Sequence, residues 1–212
     1  MKVKNYLLST LVSLCAPKGR ITRKPRSILV VSTTGLGDTL WATPALRALR
    51  KRWPEATIDV LTSSIGAEAL AGNPHIDALH RCDSLIPLYW QLRKRRFDTA
   101  YLFHTSQRII LPFIRLLGIG TVIGSAGGHK GLEHLLSVAM PKEREHEIIR
   151  RLRLVGMPTT ACQMEVATEP LTWNGTRPVA ALHVGAQTPF KEWPLGHFVE
   201  LGRRLRRDGF DV

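Results

Sequence analysis

Residues 27–53, SILVVSTTGLGDTLWATPALRALRKRW, restrict this chain more than any other stretch. The apolar, β-branched run from Ile28 to Val31 is bounded by polar residues, which predicts a strand buried on both faces. A tight turn follows, Thr33-Thr34-Gly35-Leu36-Gly37-Asp38. Ala42, Ala45, Leu46, Leu49 and Trp53 then recur at i, i+3, i+4, i+7 and i+11, with Arg47, Arg50 and Lys51 on the other face. That spacing predicts an amphipathic helix. Pro44 removes a backbone hydrogen bond near its start, so an irregular first turn is expected. Strand, glycine turn and helix make the first half of a βαβ unit, and ligands of open α/β sheets sit at the carboxyl ends of the strands. Asp38 stands there, where an aspartate suits a helix N-cap as well as a ligand-facing acid.

The turn lacks two common phosphate-binding patterns. A dinucleotide fingerprint needs glycine at position 40, where Leu40 stands, and G-x4-G-K-[ST] is absent. A Rossmann oxidoreductase is therefore disfavoured. The formal charge of +13 over 212 residues implies an anionic partner: nucleic acid, an anionic membrane or phosphorylated substrates. No nucleic-acid-binding motif or aromatic stacking cluster accompanies the basic runs, so membrane and phosphorylated substrate stand ahead and no nucleic acid is expected. Cys15, Cys82 and Cys162 are odd in number and form no CxxC pair. They read as buried inert thiols of a reducing cytoplasm, without a disulfide framework or zinc site.

Residues 1–26 form a basic extension. Lys2 and Lys4 precede an apolar stretch, Tyr6 to Ala16, that is too short to span a bilayer. Leu7, Leu11 and Leu14 share a helical face, and Lys18, Arg20, Arg23, Lys24 and Arg26 follow, which oppose export. An amphipathic helix plus polybasic strip suits docking on an anionic leaflet. Beyond the first unit the α/β alternation continues. Strands are expected at 57–62, 78–81, 99–103 and 120–124, and helices at 67–71, 85–96, 109–117 (interrupted by Pro112) and 143–155. His104 and His129 read as structural or loop residues, and Arg93 to Arg96 as a solvated face able to meet anionic groups. Residues 27–160 make a first Rossmann-like domain and 161–177 a linker. A new unit starts at 178: strand 178–184, loop 185–191, a helix from about Pro194 with Phe198, Leu201 and Leu205 inward, and a further strand from Gly209. One βα unit and a strand stub leave residues 178–212 as the incomplete beginning of a second domain, so the sequence reads as C-terminally truncated.

These residues resemble a known family. Thr34-Gly-Leu-Gly-Asp-Thr-Leu40, Thr43-Pro-Ala-Leu-Arg-Ala-Leu49 and Trp53-Pro54 look like the opening of the ADP-heptose:lipopolysaccharide heptosyltransferases, glycosyltransferase family 9. Gly72-Asn-Pro-His-Ile-Asp77 is similar to a further family segment. His183-Val-Gly-Ala186 followed by Lys191-Glu-Trp-Pro194 matches the family's second hallmark, so the resemblance runs from Ser27 to Val212. Gly35 departs from it, standing where many members carry a small hydroxyl residue.

The resemblance implies an α/β fold of GT-B type: a Rossmann-like N-terminal acceptor domain with a parallel sheet, and a second Rossmann-like domain for the nucleotide-sugar. It implies inverting transfer of heptose from ADP-heptose, or of another nucleotide-sugar's glycosyl group, to the lipopolysaccharide core on lipid A. Asp38 becomes the candidate base, taking the proton of the attacking acceptor hydroxyl. Lys191 becomes the candidate cation for the departing diphosphate, with loop amides from Gly185 to Thr188. Thr34, Gly35, Gly37, Gly185, Ala186 and Thr188 are candidate substrate contacts, and His183 either touches ligand or packs at a strand end. The chain has no D-x-D triplet, so no metal and no cofactor is expected. Peripheral placement on the cytoplasmic face of the inner membrane follows from the acceptor together with the basic extension. The competing expectation is a non-catalytic basic domain binding the anionic glycolipid or the membrane surface.

Overall fold

The computed structural model describes residues 21–104, 108–158, 161–168, 173–186 and 188–212. The expected amphipathic helix at 6–16 lies outside these residues. The chain divides into two compact units, Met1–Thr168 and Glu169–Val212.

In the first unit, β1 (Ser27–Ser32) leads into two short helices, α1 (Leu36–Leu40) and α2 (Thr43–Arg52). Then come β2 (Thr57–Thr62), α3 (Ser64–Leu70), β3 (Ala78–Arg81), α4 (Leu85–Arg95), β4 (Thr99–Leu102), α5 (Ile110–Leu116), β5 (Thr121–Ser125), β6 (Val138–Met140) and α6 (Glu147–Leu154). The strands form one six-stranded sheet in the order β3-β2-β1-β4-β5-β6, and every pairing is parallel. The order reverses between β1 and β4, the switch point at which such sheets open a ligand crevice. The expected α/β fold with a parallel sheet is present. β1 holds the centre because its side chains serve both faces. Leu29 and Val31 join one core cluster, Ile28 and Val30 the other, and all four are fully buried. Each such side chain contributes about 2 kcal/mol through burial.

Several boundaries differ from the sequence expectation. The single helix after the glycine turn is split: Thr39 and Trp41 close α1, and Pro44 occupies the first turn of α2, where its missing N–H costs nothing. For the same reason Pro112, in the first turn of α5, does not interrupt that helix. α3 begins earlier than expected because Ser63 caps it, its Oγ accepting from the Gly66 amide at 3.2 Å. A Cβ at Gly66 would lie 2.0 Å from Thr62 Oγ1, which lets α3 approach the sheet closely. β6 was not anticipated; it is three residues long and joins the sheet through β5. The helix expected from 143 starts only at Glu147, with the His146 ring accepting from the Ile148 amide.

Residues 161–168, placed in a linker by their lack of periodicity, instead lie on the first unit. The Glu165 amide donates to Thr43 Oγ1 at 2.9 Å, and its carboxylate meets Arg47 and, at 3.0 Å, His75. Burial, with Arg47 and Arg50 nearby, lowers the His75 pKa. The exposure of Cys162 and the partial exposure of Cys82 correct the expectation that both are buried.

The second unit contains α7 (Leu195–Arg207) and one parallel bridge, Val179 to Asp211. The expected strands at 178–184 and from 209 are reduced to that bridge, held by Ala180 N–H to Asp211 O and Asp211 N–H to Pro178 O. Phe198, Leu201 and Leu205 are half-buried on α7, and Arg203, Arg204, Arg206 and Arg207 are exposed, as the periodicity predicts.

Candidate functional site

One group of candidate residues grows from the carboxyl end of β1. The chain leaves Ser32 and enters α1 with Gly35 as its N-cap, so Asp38 lies inside the first turn and is not the cap. This corrects the capping alternative. The helix starts earlier than periodicity implies because the Gly35 carbonyl already accepts from both the Thr39 amide and Thr39 Oγ1, each at 3.1 Å. A Cβ at Gly35 or Gly37 would meet nothing within 4 Å, and neither residue has a positive φ. No packing or backbone demand inside the chain calls for glycine at either position. The open space leaves the turn approachable from outside.

Asp38 faces α6. Its side chain is one-third exposed, and Oδ1 lies 3.6 Å from Nη2 of Arg151, which is fully buried. The Arg151 Nε donates to the Phe103 carbonyl at 3.4 Å, its guanidinium sits 5.9 Å from the Trp41 ring centre, and Glu147 Oε2 is 3.8 Å away. Arg150 donates to the same Phe103 carbonyl at 3.1 Å and to Glu147. Both arginines are thus hooked to the carboxyl end of β4, across the switch point from Asp38. Neither terminal nitrogen of Arg151 has a hydrogen-bond partner among the described residues. At 3.6 Å the Asp38 contact is an ion pair too long to be a hydrogen bond. A buried guanidinium with undonated N–H groups is costly, and such groups call for an acceptor.

The electrostatics follow from burial. Desolvation lowers the Arg151 pKa, opposed by Glu147 and Asp38. His104 follows β4 directly, and burial lowers its pKa too; Asp38 pulls the other way and the two arginines reinforce the decrease. The sequence reads His104 and His129 as structural or loop residues. His129 keeps that reading, fully buried with its Nε2 3.0 Å from the Ser125 carbonyl.

A cavity of about 670 Å³ opens beside the turn, lined by Thr34, Gly35, Ser63, Ser64 and Asp83 among others. Thr34 Oγ1 is buried there without a partner, while its carbonyl accepts from Ser63 Oγ at 2.8 Å. Its wall combines hydroxyls of Thr33, Thr34, Ser63 and Ser64 with the apolar side chains of Ile65 and Ile110.

The second unit carries the other group of candidate residues. His183, Gly185, Ala186 and Lys191 are exposed, and Thr188 is half-buried with its Oγ1 unpartnered. Lys191 closes a short 3-10 turn, its amide donating to the Thr188 carbonyl at 2.9 Å and its ammonium 5.8 Å from the Phe190 ring centre. Phe190 is 84 % exposed. The first turn of α7 carries no side-chain cap, and its His197 amide donates to the Pro194 carbonyl at 2.9 Å. No cluster of three or more His, Cys, Asp or Glu able to hold a metal ion exists among the described residues.

Sequence reasoning missed Arg150, Arg151 and Glu147. A signal was present: Ile148, Leu152 and Val155 form an apolar stripe, and Arg151 occupies its i+3 position, where a hydrophobic residue belongs.

No protein-family model matches the chain. It is 23 % identical over 218 residues to lipopolysaccharide heptosyltransferase 2 of Escherichia coli strain K12, covering 87 % of this chain and 62 % of that protein. It is 24 % identical over 204 residues to lipopolysaccharide heptosyltransferase 3 of Escherichia coli, covering 83 % and 59 %. The chain therefore spans about three fifths of the length of these curated relatives. Among solved structures, it is similar to Escherichia coli ADP-heptose lps heptosyltransferase II, with a TM-score of 0.72 at 22 % identity, covering 88 % of this chain and 63 % of that one. A glycosyl transferase family 9 structure from Veillonella parvula gives the same TM-score at 17 % identity, covering 88 % and 61 %. The resemblance carried by the two motifs is borne out in sequence and in fold.

Proposed function

We infer that this chain, a relative of the lipopolysaccharide heptosyltransferases, takes part in inverting transfer of heptose from ADP-heptose to the core oligosaccharide of lipopolysaccharide. The observation that carries the reading is Asp38, a partly exposed carboxylate at the switch-point end of β1, set against the buried Arg151. Asp38 accepts the proton of an acceptor hydroxyl as that oxygen attacks the anomeric carbon. The new carbon–oxygen bond forms as the bond to the diphosphate breaks, and ADP leaves with the electron pair. Arg151 sets a buried positive charge 3.6 Å from that carboxylate. The hydroxyl-lined cavity receives the acceptor sugar. In the second unit, Lys191 and the amides from Gly185 to Thr188 neutralise the charge that develops on the diphosphate. His183 and Ala186 border the same loop. The reaction in this reading needs no metal. The enzyme works peripherally on the cytoplasmic face of the inner membrane, drawn there by its positive charge.

The test is turnover with ADP-heptose and a core acceptor, paired with calorimetry of donor binding. Asp38→Asn should lose transfer and retain donor affinity. Unchanged transfer removes Asp38 from the chemistry. Binding of acceptor without any nucleotide-sugar would shift the chain to a glycolipid-binding role.

A further inference from the structure

We propose that the outer face of α4, continued onto the amino edge of the sheet, is a docking surface for an anionic lipid bilayer. It rests on the peripheral-membrane part of the proposed function and names the surface that would serve it. Ile86 and Trp90, one helical turn apart, are 77 % and 63 % exposed, and Lys94 continues the same face. Arg93 and Arg96 flank it, and α4 contains no acidic residue. Trp90, Arg93, Lys94 and Arg96, with Leu116 and Gly118, line a cavity of about 750 Å³. The parallel sheet brings further cations to the same place. Arg96 precedes β4, and Lys24 and Arg26 precede β1 at the same edge; all are exposed. The amides of Arg26 and Ser27 donate to Asp98 Oδ2, at 2.7 and 3.1 Å, which ties the two segments together. Ile21 and Leu116 add apolar surface there.

An exposed tryptophan and isoleucine ringed by cations match the two layers of a bilayer interface. The aromatic ring reaches the headgroup level while the basic groups meet lipid phosphates. Other occupants fit less well. Residues 1–20 carry Lys2, Lys4, Lys18 and Arg20 and no acidic side chain, so like charge opposes their covering this face. A second copy would present the same positive surface. A polyanion such as RNA would satisfy the cations but leave Ile86 and Trp90 unused.

The test uses the full 212-residue chain with vesicles of equal parts phosphatidylglycerol and phosphatidylcholine, against phosphatidylcholine alone and against poly(U) RNA. Two variants leave residues 1–26 intact: Ile86→Ser with Trp90→Ser, and Lys94→Glu with Arg96→Gly. We expect sedimentation with the anionic vesicles to fall about tenfold in each variant. Quenching by lipids with brominated acyl chains should be strong in the parent and reduced in the first variant. Equal binding of parent and variants places docking away from α4 and overturns the proposal. So does equal binding to both vesicle types. Loss in the charge variant alone, with matching loss on poly(U), identifies an unselective polyanion surface and overturns it too. Calorimetry with ADP-heptose on the same variants separates the two readings. A chain that binds vesicles but no donor keeps the docking surface and loses the transferase; the reverse result does the opposite.

Discussion

Two of the carboxylate–guanidinium clusters in the first unit, around Asp59 and around Asp38, differ in how fully they are satisfied. Around Asp59 on β2, nothing is left over. The carboxylate is fully buried, accepts twice from Arg95 at 2.8 and 2.9 Å, and lies 2.7 Å from His80 Nε2. Gln91 closes the far side of the His80 ring at 3.2 Å. Burial would raise the Asp59 pKa, but the hydrogen bonds from His80 and Arg95 prevail and hold it below the ordinary carboxylate value. Around Asp38 the exposure is reversed: the arginine is buried, the carboxylate is partly in solvent, and both terminal nitrogens of Arg151 go without a hydrogen bond. The same pair of residue types thus makes a structural clamp in one place and an incomplete site in the other. Unmet hydrogen-bonding capacity distinguishes the two, because a fully satisfied network has nothing left to offer a ligand.

The contrast can be broken by substitution, and the largest effect is expected at the incomplete cluster. Asp38→Asn should lower heptose transfer by about 10²–10⁴-fold while the thermal midpoint stays put. A falling midpoint would make Asp38 a stability residue like Asp59. Next in size, Asp59→Asn should cost about 3 kcal/mol in denaturant unfolding, since it strips a buried network of its central anion; donor binding by the folded protein should be unaffected.

The pH dependence of stability sharpens the same point. A carboxyl held below its ordinary value binds fewer protons folded than unfolded. The Asp59 contribution is therefore complete above about pH 4 and is lost as pH falls through the folded value. Unfolding midpoints measured from about pH 5 down to about pH 2 should drop more steeply in the parent than in Asp59→Asn. Parallel curves would deny the network that role.

Smaller effects are expected where the site is open. Arg151→Met should leave stability within about 1 kcal/mol, or raise it, because an apolar isostere replaces a poorly satisfied buried cation. Transfer should nevertheless fall about tenfold for want of the charge beside Asp38, an effect of about 1.4 kcal/mol. Gly37→Ala should stabilise α1 by about 0.5–1 kcal/mol, given the empty space around it. The added methyl should weaken acceptor binding, and unchanged affinity would show that no ligand approaches the turn.

The legible parts of this chain were the local ones. The apolar run of β1 and the stripe from Ala42 to Leu49 announce a strand and a helix because their periods are written in neighbouring residues. Asp38 stood out because a short glycine turn puts it at a strand's carboxyl end. β6 left no mark, since three residues carry no period and only pairing with β5 makes them a strand. Residues 161–168 looked like a linker because what anchors them is the meeting of Glu165 with Arg47, His75 and Thr43, far away in sequence. The sequence by itself determined the α/β alternation, the glycine turn and its acid, the surplus of cations and the motifs of the family resemblance. Only the tertiary structure decided that Arg151 lies buried against Asp38 and that Asp59 is a finished clamp. The physical reason is that periodicity reports which face of an element is buried. Which charges meet there depends on strand order and crossovers, and those are settled only when the sheet closes its core.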